Sequence, residues 1–343
     1  MQVHRPIFER IINQCREFGP ISVAVVSPLS EVALTGAIDA ARAGLGTPYL
    51  VGPSAQIRTL AREKRIDIGP YPIVDVADDL EAAERAVFLC RVGTCQVLMK
   101  GSLPTDQFLK PVVAASTGLR LKRRISHALV VDAPGCPRTL IITDSAINLH
   151  PKLEEKADIV QNAIKLAHVL GITTPKVAIL SAIERVSSRF SSTIDASALC
   201  KMADRGQITG GVLDGPLAFD DAIEPEAARI KQIHSAVAGQ ADVLVVPSLE
   251  AGHMLGKQLQ SRADAETAGV ALGAQVPIIL TGRAANPKSR LASTAVAALL
   301  AHQECQESPQ VAYGYGVLLQ EDDKASCGIT TTGGSESLTG CMC

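Results

Sequence analysis

The chain has 343 residues and a formal net charge of -2, with 47% hydrophobic residues, 3% aromatic ones and no Trp. That length suits two domains of roughly 150 residues each, and a core drawn from Val, Ile, Leu and Ala is the profile of parallel strands covered on both faces by helices. The near-neutral balance gives no support to a nucleic-acid or acidic-membrane partner, and the apolar runs are too short to span a bilayer.

Residues 1–20 read as an amphipathic helix with Ile7, Phe8, Ile11 and Ile12 on one side and a Gly-Pro stop behind it. No signal peptide is expected, so the reading is a cytoplasmic protein. Strands are expected at 22–28, 48–53, 71–76, 95–101, 126–132 and 139–144, then at 176–181, 208–215, 242–248 and 276–282. Helical patterns lie between most of them. One, at 152–171, places Leu153, Ala157, Val160, Ile164 and Ala167 at three- and four-residue steps and ends on Gly171, a C-cap signal. Such alternation predicts an α/β architecture with mainly parallel sheets flanked by helices. The nine cysteines form no CxxC pair; Cys90, Cys95 and Cys200 are expected as small buried hydrophobes of a reduced protein, and a zinc site is not expected. From about residue 303 the periodicity stops, and a loosely ordered Gly/Ser/Thr-rich tail is expected.

In α/β sheets ligands collect beyond the carboxyl ends of strands, so the polar residues there carry the functional reading. "LMKGSLPT" ends a strand with Lys100 and Ser102, a weak anion signal that lacks Walker A spacing. "GLRLKRRISHALVVD" clusters Arg120, Lys122, Arg123 and Arg124, either a solvated basic turn or a site for a phosphate-rich ligand such as coenzyme A. "IITDSAINLHPK" supplies Thr143, Asp144 and Asn148, as turn residues or as an acid that accepts a proton. "VLDGPLAFDDAI" offers Asp214, Asp220 and Asp221 under the same two readings, with no metal-ligand pattern. In "VPIILTGRAANPKSRLASTAVAALL", Asn286 and Pro287 are a good helix start. Arg283, Ser289 and Arg290 then gather where unpaired N–H groups and the helix dipole favour an anion. The first three turns of that helix hold no acid and no histidine.

Taken in order, "LMKGSLPT", "TGLRLKRRISHALVVD", "ITDSAIN", "DGPLAFDDAI", "VLVVPSLEAG" and the late "SR" resemble the phosphate acetyltransferase/phosphate butyryltransferase family, over about residues 20–300. The likeness is greatest to the butyryltransferase branch and to the acetyltransferase domain fused to an enoyl-CoA hydratase, without a hydratase-like extension. The resemblance implies two α/β domains of the isocitrate/isopropylmalate dehydrogenase type with the active-site cleft between them. The expected division is 1–143 plus 283–305, 144–282, and a poorly ordered tail at 306–343. It also implies reversible acyl transfer between coenzyme A and phosphate by direct attack in a ternary complex. The partners are then acyl-CoA, phosphate and acyl-phosphate, with no metal or redox cofactor, in a homodimer or larger assembly. By the family's pattern Ser289 and Arg290 handle phosphate and the acyl carbonyl. Lys100, Ser102, Arg120, Arg123, Arg124, Thr143, Asn148 and Arg283 are the expected phosphate and coenzyme A contacts. In the acetyltransferase branch an aspartate stands six residues beyond that arginine as the proposed base; here the position is Val296. Asp144 or Asp220 is then the expected replacement. A non-catalytic acyl-CoA-binding or regulatory protein of the same fold is the alternative, motivated by Val296 and by His253, where asparagine is usual.

Overall fold

The computed structural model describes residues 6–134, 136, 138–282 and 285–307. Arg283 and the expected tail beyond 307 lie outside the described residues. In chain order the elements are α1 (Pro6–Phe18), β1 (Ile21–Val26), α2 (Glu31–Arg42), β2 (Gly46–Gly52), α3 (Ser54–Lys64), β3 (Ile73–Asp75), α4 (Asp79–Arg91) and β4 (Val97–Lys100). Then come α5 (Thr105–Val112), β5 (Ser126–Asp132), β6 (Leu140–Thr143), α6 (Leu153–Val169), β7 (Lys176–Leu180), α7 (Ser191–Asp204) and β8 (Val212–Leu217). The last are α8 (Phe219–Ile223), α9 (Pro225–Ile230), β9 (Val243–Val245), α10 (Leu249–Arg262), β10 (Glu266–Leu272), β11 (Ile278–Ile279) and α11 (Pro287–Glu307).

Local chemistry explains the boundaries. Ser30 and Asp78 cap α2 and α4 by accepting from first-turn N–H groups. Gly171, at φ 90°, closes α6, with Gly171 N–H donating to His168 O and Ile172 N–H to Ala167 O. The apolar side of α1 is buried through Ile7, Phe8, Ile11 and Cys15. Cys90 and Cys95 are buried as expected, and Cys200 is half-buried. Among the described residues no helix is long and apolar enough to cross a membrane.

All the strands form one sheet of eleven, in the order β3-β2-β1-β4-β11-β10-β5-β6-β9-β7-β8. Two parallel groups, β3-β2-β1-β4-β11 and β6-β9-β7-β8, are joined through the antiparallel pairs β11–β10, β10–β5 and β5–β6. Each expected strand is present, some shorter than expected, but β10 was not among them. Its sequence, ETAGVAL, is made mostly of small residues and follows α10 without a Gly or Pro stop, so periodicity gives it little weight. This unannounced strand ties the two halves of the sheet together.

One line of register matters for function. Thr143 pairs with Ala128, Ala128 with Val270, and Val270 with Ile279. Both β6 and β11 stop on that line, at Thr143 and Ile279, while β5 and β10 run through it. Two strand ends of opposite sense therefore release their loops at the middle of the sheet.

Candidate active site

A cleft of about 1150 Å³ opens over this register line. Its walls come from the loop after β6, the 280–282 and 285–286 stretches after β11, the first turn of α11, and one face of α10. Helix α10 contributes Gly252, His253, Gly256, Lys257 and Gln260, a three- and four-residue stripe. The glycines set how closely that face approaches. A Cβ at 252 would meet the Asp144 carbonyl oxygen at 2.6 Å, and one at 256 would meet Leu129 Cδ2 at 2.7 Å. Ser248 starts the helix by accepting from the Ala251 N–H.

Asn286 caps α11, its Oδ1 accepting from the Ser289 N–H at 2.7 Å. The cap fixes the first turn, so that Ser289, 5% exposed, lines the cleft beside Lys288. The Ser293 hydroxyl bonds back to the Ser289 carbonyl at 2.6 Å and accepts from the Gly269 N–H at 2.9 Å, locking this turn to β10. Arg290 points elsewhere. Its side chain lies on α2, where a Cβ at Gly36 would stand 3.0 Å from Arg290 Cδ. Its guanidinium donates to the carbonyls of Ala285 (3.3 Å) and Gly282 (3.2 Å), bracing the loop from beneath. Burial lowers the Arg290 pKa from its ordinary value.

The β6 loop is organised differently. Asp144 is buried, and its Oδ1 accepts from the N–H groups of Ala146 (2.8 Å) and Ile147 (2.9 Å). Its Oδ2 accepts from the N–H of His127 (3.1 Å) and from the N–H and side-chain amide of Asn148 (3.2 and 2.5 Å). Five donors occupy this carboxylate, which thereby shapes the loop. Asn148 also accepts from Arg124 Nε at 2.6 Å, and Arg124 pairs with Glu155 at 2.7 Å. Thr143 is fully buried, its hydroxyl donating to the His127 carbonyl.

The remaining expected residues scatter. Lys100 is buried at the end of β4 and donates to the Gly101 carbonyl at 3.3 Å. Ser102 donates from both N–H and hydroxyl to the Ser27 carbonyl. Arg120 and Arg123 are exposed on the turn before β5. Asp220 sits beyond the edge strand β8, paired with Lys231 at 3.2 Å, and does not line the cleft. Lys231 also holds the buried Asp221 at 2.8 Å. Val296 is wholly buried in the hydrophobic core.

Two cleft residues went unremarked in the sequence. Lys257 follows His253 by one turn, and its Nζ would lie 3.8 Å from a Cβ at Gly282, over the β11 loop. The Gly252-His253 and Gly256-Lys257 repeat at four residues is a signal that would have found it. His127 lies inside β5, where attention to strand ends does not look. Its Nδ1 is 2.8 Å from the Ser145 hydroxyl and its Nε2 is 3.2 Å from the Leu280 carbonyl oxygen.

Comparison with known proteins places this geometry. A family model described as phosphate acetyl/butaryl transferase matches residues 79–298. A phosphate acetyltransferase of Rhizobium meliloti is 56% identical over 294 residues, covering 86% of this chain and 93% of that relative. A phosphate butyryltransferase of Clostridium beijerinckii is 37% identical, covering 86% of this chain and 97% of its own length. Among solved structures, a branched-chain phosphotransacylase from Enterococcus faecalis V583 is similar with a TM-score of 0.73 at 28% identity, over 82% of this chain and 99% of that one. These matches lend nothing to the non-catalytic alternative.

Proposed function

We propose that this chain, which belongs to the phosphate acetyl/butyryl transferase family, moves a short acyl group, acetyl or butyryl, reversibly between coenzyme A and inorganic phosphate. The observation that carries the reading is Ser289, set by the Asn286 cap at the start of α11 on a cleft that also holds Lys257 and Lys288. A relative bearing the acetyl name is 56% identical and one bearing the butyryl name 37%, which favours acetyl, and the assay decides the acyl length.

In this reading phosphate binds at the amino end of α11, where the helix dipole and the two lysines favour an anion. A phosphate oxygen attacks the thioester carbonyl carbon, the C–S bond breaks with its electron pair on sulfur, and acyl-phosphate and coenzyme A leave. Ser289 donates a hydrogen bond to the developing oxyanion, and the cleft holds both substrates together, so no covalent enzyme intermediate is needed. Arg290 holds the loop and adds positive charge beneath it. Arg120 and Arg123 are free of the β6-loop network that engages Arg124, which suits them to the coenzyme's phosphates. No metal or redox group takes part in this chemistry. The reading extends to a homo-oligomer, checked by light scattering on the purified chain, and to a cytoplasmic location, checked by cell fractionation.

The deciding experiment is thiol release from acetyl- through valeryl-CoA with and without phosphate. Phosphate-dependent release with at least one of them is expected, strongly reduced in Arg290→Ala. The absence of both phosphate-dependent release and arsenolysis across the series would overturn the assignment.

A further inference from the structure

We infer that Ser145 and His127 form a proton relay in this cleft, with Ser145 meeting the reacting groups and His127 acting through it as the proton store. The inference rests on the acyl-transfer reading and adds residues to it.

The hydrogen-bond pattern sets the tautomer. The Leu280 carbonyl oxygen can only accept, so the imidazole N–H is on Nε2 and points to it. Nδ1 then carries a lone pair, and at 2.8 Å it accepts from the Ser145 hydroxyl. Both side chains line the same cleft as Ser289, and each is only 4% exposed. Both ring nitrogens have partners, and the backbone of His127 is fixed as well. Its backbone N–H donates to Asp144 and its carbonyl accepts from Thr143. Below it, a Cβ at Gly269 would stand 3.0 Å from Nε2, so only glycine leaves the ring this seat.

The other titratable groups of the cleft are less suited. Glu266 pairs with Lys288 at 3.2 Å, Asp264 is exposed just before β10, and His253 and Lys257 are exposed on α10. Helix α11 provides no acid within three turns of Ser289, and Val296 is in the core. On the cleft around His127, Asp144 stands on the β6 loop, His253 and Lys257 on α10, Asp264 just before β10, Glu266 on β10 and Lys288 on α11. Burial lowers the His127 pKa, Asp144 and the Leu280 carbonyl oppose that shift, and His253 reinforces it. The ring is therefore neutral near pH 7 and ready to accept a proton.

The relay balances over the whole reaction. As the phosphate oxygen bonds to the thioester carbon, its O–H proton passes to Ser145 Oγ while the Ser145 hydrogen moves to His127 Nδ1. When the C–S bond breaks, the thiolate takes a proton from Ser145, which recovers one from His127. In reverse the thiol proton enters by the same path and leaves on phosphate. The enzyme ends each turnover unchanged.

The test uses the full-length protein with acetyl- or butyryl-CoA and phosphate. Ser145→Ala is expected to lower kcat about 100-fold, within the usual range for a lost general acid–base group, with both KM values little changed. His127→Asn keeps an acceptor for Ser145 but cannot store a proton. It should lower kcat similarly and erase the acid limb of the kcat/KM–pH profile, which in the wild type falls as His127 becomes protonated below the ordinary histidine value of 6.5. Circular dichroism and coenzyme A binding verify that each variant is folded. A folded Ser145→Ala protein with kcat within about two-fold of wild type would overturn the relay, as would an unchanged acid limb in His127→Asn. If the wild-type protein itself shows no phosphate-dependent thiol release, the acyl-transfer reading fails instead.

Discussion

The first turn of α11 and the loop after β6 hang from strands that stop on one line of the sheet, yet they use their polar groups in opposite ways. In the β6 loop the polar atoms other than the Ser145 hydroxyl bind one another: Asp144 accepts five hydrogen bonds, Asn148 bridges it to Arg124, and Arg124 reaches Glu155. At the start of α11 the cap is one asparagine, the brace is Arg290 from below, and Ser289 turns to the cleft. A polar residue at a strand's end is thus not yet a site residue. What separates the two regions is whether a side chain is already satisfied by its own loop.

That contrast predicts different failures. The largest effect is expected from Asp144→Ala, which strands five donors, three of them buried, and should cost about 3–5 kcal/mol in stability, measured by urea denaturation. Ser289→Ala should leave the urea midpoint within experimental scatter and lower kcat by about 100- to 1000-fold. A Ser289→Ala protein that unfolds early but turns over normally would erase the distinction between the regions. Next comes Gly252→Ala, whose new methyl group meets the Asp144 carbonyl oxygen at 2.6 Å. It should push α10 off the β6 loop at about 1–3 kcal/mol, and the KM for acyl-CoA should rise as the cleft changes shape. Lys257→Met keeps the aliphatic stem and removes the charge; the KM for phosphate should rise about five-fold, with the rise shrinking at high salt.

The smallest expected effect is on pH. His127 is buried with its pKa below the ordinary 6.5 of an unfolded chain. Just below 6.5 the unfolded state therefore binds more protons, and stability falls as the pH falls toward the folded-state value. In the His127→Asn protein that part of the acid-side loss should disappear, as urea midpoints between about pH 5 and 7 would show.

The α/β class, ten of the strands, the Asn286–Pro287 helix start and the Gly171 stop were legible in the sequence, because period, caps and breakers are local signals. The tenth strand in chain order, β10, was not, since its small residues carry no pattern of their own and its place is set by β5 and β11 on either side. The same division runs through the site. The place of Ser289 in the first turn of α11 was legible because Asn286 and Pro287 mark the helix start. Whether Asp144 faces the cleft or its own loop, whether Arg290 points up or down, and which nitrogen of His127 meets Ser145 depend on partners distant in sequence: His127 lies 17 residues from Asp144 and 153 from Leu280. One sequence names the groups able to do chemistry, but only the packed sheet decides which are already satisfied and which remain turned toward a substrate, because that depends on donors and acceptors brought from elsewhere in the chain.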